Sequence, residues 1–143
     1  MKTLTPDNSD YSPGRDPGAG GAARSAPPPA TAAAARERVS ALLRGAGIGL
    51  DSVSAADALL VTTELVINAI QHGGGLTGFR IDVTDDFFHL SIDDRNPRAP
   101  TVSGGGASRD GGFGWKLVQR LTHDIDITTR PHGKTITTTL LLI

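Results

Sequence analysis

Three groups of residues in this chain have the types and spacing needed for ligand chemistry. Glu64, Asn68 and His72 recur at intervals of four. On an α-helix turning about 100° per residue they form one narrow polar stripe, stepping about 40° each time, with Asp57 close beside it. Leu59, Thr63, Leu65, Val66, Ile67, Ala69 and Ile70 fill most of the remaining circumference. Such a stripe either faces water or lines a groove, the latter because a helix this apolar needs cover on nearly all sides. The second group centres on Asp94. It ends the alternation Phe88, Leu90, Ile92 and so shares their inward face, while Asp93 faces out. An inward carboxylate requires a helix cap, an arginine from the adjoining loop, or a ligand. The third group is SGGGASRDGGFG, residues 103–114. Consecutive glycines admit a close-approaching ligand and a helix N-terminus offers free N–H groups to anions, although a linker has the same composition.

Local pattern dictates the elements that must position these groups. Val39, Leu42, Leu43 and Ala46 are spaced for a first helix beginning at Ala33, with Gly47 or Gly49 available to end it. A second helix is predicted from Ala55 to Gln71, with Ser54 as its N-cap and Gly73-Gly74-Gly75 as its stop. The period then switches to two. Phe79, Ile81 and Val83 form one strand, Asp85-Asp86 a tight turn, and Phe88 to Asp94 the return strand. About twenty loop residues follow, a length that usually carries function. A third helix is predicted from Gly114 to Thr122 with Trp115, Val118 and Leu121 on one side, and DIDITTR and KTITTTLLLI then form a terminal hairpin around Pro131-His132-Gly133. Segregated helices and antiparallel hairpins imply an α+β, two-layer sandwich with three helices on one face of a mainly antiparallel sheet.

Composition narrows the function classes. The 143 residues include 14 Lys+Arg, 15 Asp+Glu and no cysteine. Disulfide scaffolds, thiolate metal sites and cysteine nucleophiles are excluded. The near-neutral charge argues against direct nucleic-acid binding. The first ten residues lack the apolar core of a secretion signal, and no uninterrupted apolar run approaches the roughly 18 residues of a membrane span. A cytoplasmic protein without membrane attachment is the expectation. Residues 1–32, dense in Pro, Gly and Ala, are expected to form a disordered tail, leaving 33–143 as one domain.

Taken together, the three groups resemble the GHKL ATPases, and within them the anti-sigma-factor serine kinases of the RsbW/SpoIIAB type. Glu64-Leu65-Val66-Ile67-Asn68-Ala69-Ile70-Gln71-His72 looks like the family's N box, E-L-x-x-N-A-x-x-H. Ile92-Asp93-Asp94-Arg95-Asn96-Pro97 sits where the G1 box belongs, and Gly112-Phe113-Gly114-Trp115-Lys116-Leu117-Val118 is similar to the G2 box, G-x-G-L-x-L-V. Gly133-Lys134-Thr135 also resembles a family position. The boxes stand in the family's order across residues 33–143. Two departures are plain: the family's G1 is close to D-x-G-x-G and this chain has neither glycine, and Trp115 replaces a leucine. No counterpart is visible for the strand that commonly precedes the first helix, so the sheet is expected to have an exposed edge.

The resemblance implies a Bergerat-type fold that binds ATP with Mg²⁺. Asn68 would hold Mg²⁺ through its amide oxygen. Glu64 would be the catalytic general base, and Asp94 would accept from the adenine amino group. Gly112 and Gly114 would let the loop backbone and helix start meet the phosphates, with Asn96 and Lys116 among the nucleotide contacts. His72 would line the pocket mouth or cap its helix, and Arg98 and Arg109 would contact phosphate or simply be solvated. The implied function is an anti-sigma factor that phosphorylates an anti-anti-sigma partner with a STAS domain on serine or threonine and sequesters a sigma factor. Members commonly form homodimers. Two other readings fit the same boxes: a partner-sequestering module that holds nucleotide weakly or not at all, and a detached histidine-kinase-like catalytic domain.

Overall fold

A computed structural model of the chain describes residues 26–100 and 112–143. Among these, α1 (Ala32–Gly45) and α2 (Val53–His72) precede β1 (Leu76–Thr84) and β2 (Phe87–Asp94). They are followed by α3 (Gly112–Leu121), β3 (Asp124–Arg130) and β4 (Gly133–Leu141). The four strands form one antiparallel sheet in the order β1-β2-β4-β3. The helices cover one face of it, which is the two-layer α+β sandwich that the sequence pattern implies. No strand precedes α1 among the described residues, and β1 is an edge.

The helix boundaries differ from expectation in instructive ways. Thr31 caps α1, its hydroxyl oxygen accepting from Ala34 N at 3.0 Å. Upstream of it Pro29 is buried, so ordered packing reaches into the segment expected to be a tail; residues 1–25 lie outside the described part. The N-cap of α2 is Ser52, whose Oγ accepts from Ala55 N at 3.1 Å. Ser54 is inside the helix, and its hydroxyl donates instead to Ile143 O at 3.2 Å. At the other end Gly74 and Gly75 have φ of 74° and 119°, a left-handed stretch that glycine adopts without strain. It swings the chain from α2 straight into the sheet. Helix α3 starts two residues earlier than predicted, at Gly112.

The core lies between the layers. Phe88, Leu90 and Ile92 of β2 and Ile136 and Leu140 of β4 meet Val39 and Leu43 of α1, Val61, Leu65 and Val66 of α2, and Trp115 and Val118 of α3. The period-two reading of β2 holds residue by residue: its even-numbered positions, Asp94 included, are buried. Phe79, Ile81 and Val83 on the edge strand are half-buried. Helix α2 is long and apolar enough to cross a membrane. Seven of its residues are buried, six of them in this core, and Asp57 and Glu64 interrupt its apolar surface.

Candidate functional site

The site forms where the C-terminal half of α2, the ends of β2 and β4 and the first turn of α3 converge. Glu64 and Asn68 are half-buried on α2, and His72 is exposed at its last position. The Glu64 carboxylate lies on α3 at buried Gly114, so closely that a methyl group there would collide with Oε1. The absent side chain therefore lets two segments fifty residues apart in sequence come into contact. The structure thus brings Glu64 and Gly114 together. Gly112 starts the same helix, and Lys116 is exposed one turn on.

Asp94 is buried, and the partner it needs is neither a helix cap nor a loop arginine but Lys134. The two residues are opposite each other in the β2–β4 register, only 6 % and 5 % exposed. Lys134 Nζ lies 2.9 Å from Oδ2 and 3.1 Å from Oδ1, and it also donates to Asn96 O at 3.1 Å. Asn96 N donates to Asp94 Oδ1 at 2.9 Å. Gly73, just past α2, closes over this carboxyl: a Cβ there would lie 2.6 Å from both its Cγ and Oδ2.

Both ends of the Asn96 amide are hydrogen-bonded within the protein. Its Oδ1 accepts from Arg98 N and its Nδ2 donates to His72 O, both at 2.9 Å. It therefore clamps the loop after β2 onto the end of α2. Arg95 reinforces the clamp through Gly74 O at 3.0 Å. Arg98 is exposed, and Arg109 lies outside the described residues. Lys134 was missed as a site residue. The available signal was its alternation with Ile136, Thr138 and Leu140, which places an ammonium on a core face.

On the opposite face of the sheet, Asp93 joins Arg80 at 3.1 Å and accepts from the Thr135 hydroxyl at 2.6 Å. Burial pushes its carboxyl up, but hydrogen bonds from Arg80 and Thr135 and the charges of Arg80 and Arg130 outweigh that and hold it below its ordinary value. Among the described residues no three His, Cys, Asp or Glu side chains cluster as a metal site.

Among the solved structures similar to this chain are histidine kinases and domains of them. The histidine kinase domain of the blue-light activated histidine kinase from Erythrobacter litoralis EL346 is 19 % identical, with TM-score 0.49, over 78 % of this chain and 64 % of that one. Histidine kinase AdeS of Acinetobacter baumannii is 17 % identical, with TM-score 0.46, over 77 % and 64 %. The catalytic domain of histidine kinase ThkA is 16 % identical, with TM-score 0.48, over 75 % and 89 %. This chain thus spans less than two thirds of the Erythrobacter and Acinetobacter chains. No curated protein matches its sequence. The family described as "Histidine kinase-like ATPase domain" matches residues 25–140, and with most of its length covered the chain belongs to that family.

Proposed function

We propose that this domain binds ATP with Mg²⁺ and acts as an anti-sigma factor. In this reading it phosphorylates a serine or threonine of a STAS-type anti-anti-sigma partner and sequesters a sigma factor, in the cytoplasm and with homodimer formation. The observation that carries the catalytic part is the contact of Glu64 with Gly114 at the first turn of α3, with Asn68 one turn further along α2. The residues present suit ATP. The buried Asp94 carboxylate stands against Gly73 at the end of α2, and the Glu64 carboxylate earlier on that helix stands against Gly114 of α3. The start of α3 lies at the Glu64 end, and helix-start N–H groups favour phosphate. One neutral amide oxygen, from Asn68, suits Mg²⁺, which keeps several waters and takes other ligands from phosphate.

When bound, the metal would neutralise phosphate charge. The chain's own residues do the rest. Glu64 takes the proton of the partner's hydroxyl as that oxygen bonds to the γ-phosphorus and the bond to the β-phosphate oxygen breaks, leaving ADP. Asp94 receives the adenine amino group, and α3 holds the phosphates in line with the attacking oxygen. The sequestering module is the second reading, favoured by the missing G1 glycines and by the three contacts already made to the Asp94 carboxylate.

The test has two stages. ATP and ADP are titrated with and without Mg²⁺ into wild type and Asp94→Ala; binding that needs Asp94 and strengthens with Mg²⁺ is expected. Phosphoryl transfer to a cognate STAS partner is then compared for wild type and Glu64→Gln. Transfer at the wild-type rate by Glu64→Gln would remove Glu64 as the base. Absence of binding at millimolar nucleotide would leave sequestration as the function.

A further inference from the structure

A lysine on the core face of a strand needs every N–H bond satisfied, and Lys134 has that. Its ammonium lies within 3.1 Å of three acceptor oxygens: it donates to Asp94 Oδ1 and to Asn96 O, both at 3.1 Å, and forms an ion pair with Asp94 Oδ2 at 2.9 Å. Asp94 has about four lone-pair positions on its two oxygens. Oδ1 accepts from both Lys134 Nζ and Asn96 N, whereas Oδ2 is held by Lys134 Nζ as an ion pair at 2.9 Å. One acceptor position, on Oδ2, is left over. On that side the neighbour is Gly73, where any side chain would press on the carboxyl.

We propose that Lys134 sets the nucleobase preference of this site by holding the Asp94 carboxylate with one acceptor open while leaving no donor open. The proposal rests on the ATP-site reading above and adds to it a residue that reading does not use. A base presenting an exocyclic amine, as adenine does, finds its acceptor. A base presenting a carbonyl at the same place, as hypoxanthine does, puts oxygen against a carboxylate whose only nearby cation has no N–H to spare. Lys134 is a positioning residue, acting through Asp94. A merely structural lysine would change affinity for both bases alike and leave their ratio untouched.

The test is equilibrium binding of ATP, inosine triphosphate and purine riboside triphosphate, which has neither group, to the full chain. Thermal unfolding of each variant is followed in parallel. Wild type is expected to bind ATP tightest and inosine triphosphate weakest, with at least about a tenfold ratio between them, the range set by one unpaired buried polar group. Lys134→Met removes the cation that orders the carboxylate, and the ratio falls toward one through weaker ATP binding. Lys134→Arg keeps the charge but brings five N–H donors to three acceptors, so the ratio falls through stronger inosine triphosphate binding. Equal binding of ATP and inosine triphosphate by wild type overturns the proposal without any variant. An unchanged ratio in a folded Lys134→Arg or Lys134→Met protein overturns it too. No binding of any nucleotide by wild type overturns the ATP-site reading itself and this proposal with it, which is a distinguishable result.

Discussion

The buried pair Asp94–Lys134 permits a direct measurement of how the fold holds its site. Both residues are all but excluded from water, so each single substitution strands the other. Lys134→Met takes away two of the three donor contacts on the Asp94 oxygens and leaves only Asn96 N. It also strips Asn96 O of its ammonium donor. Breaking one side of a buried pair costs about 3–5 kcal/mol, and Asp94→Asn, which strands the ammonium, belongs in the same range. The double variant strands no charge. It is therefore expected to cost about as much as one single change rather than their sum, a coupling of roughly 4 kcal/mol. Urea unfolding reads this directly. With a slope near 2 kcal/mol per M, each single variant moves the midpoint down by about 2 M, and the double variant moves no further. Additivity of the two changes to within about 0.5 kcal/mol would refute the reasoning, because it would mean that the ions do not interact.

Gly114→Ala separates stability from chemistry. Alanine favours the helix by about 1 kcal/mol over glycine, and the atom it displaces is the far end of the Glu64 side chain. Unfolding stability is thus expected to hold or rise slightly, while phosphoryl transfer falls by roughly 100-fold for a misplaced base; unaltered transfer would detach Glu64 from α3 functionally. Ser52→Ala is expected to lower stability by about 1 kcal/mol and Ser54→Ala by less, since Ser52 is the cap, as urea midpoints would record. For Asp93 the folded pKa lies below the ordinary 3.8, so its contribution is complete above that value and is lost as pH falls through the folded value. The melting temperature of wild type is expected to drop more steeply below about pH 4 than that of Asp93→Asn; parallel curves would discount the Arg80 and Thr135 contacts.

Much of this protein was legible from local spacing. The alternation through Phe88, Leu90, Ile92 and Asp94, the interval of four between Glu64, Asn68 and His72, and the turn at Asp85-Asp86 each arise within a few neighbouring residues. A backbone period of 2 or 3.6 projects such patterns directly onto a face. The cap of α2 was less legible. Ser52 and Ser54 are both good capping residues, and the choice between them depends on where Ser54 finds another partner, the far chain end at Ile143.

What the sequence by itself determined is therefore which residues share a face and which elements they ride on. Only the tertiary structure decided which faces meet. Asp94 and Lys134 are forty residues apart, and nothing local to either says that they pair. Their meeting follows from the β2–β4 register, in which a slip of one residue would turn Lys134 to the outer face of the sheet. Glu64 reaches Gly114 only because α2 and α3 lie side by side on that sheet. Asn96 is drawn to the carbonyl at the end of α2, because exposed carbonyls there need donors once the helix stops.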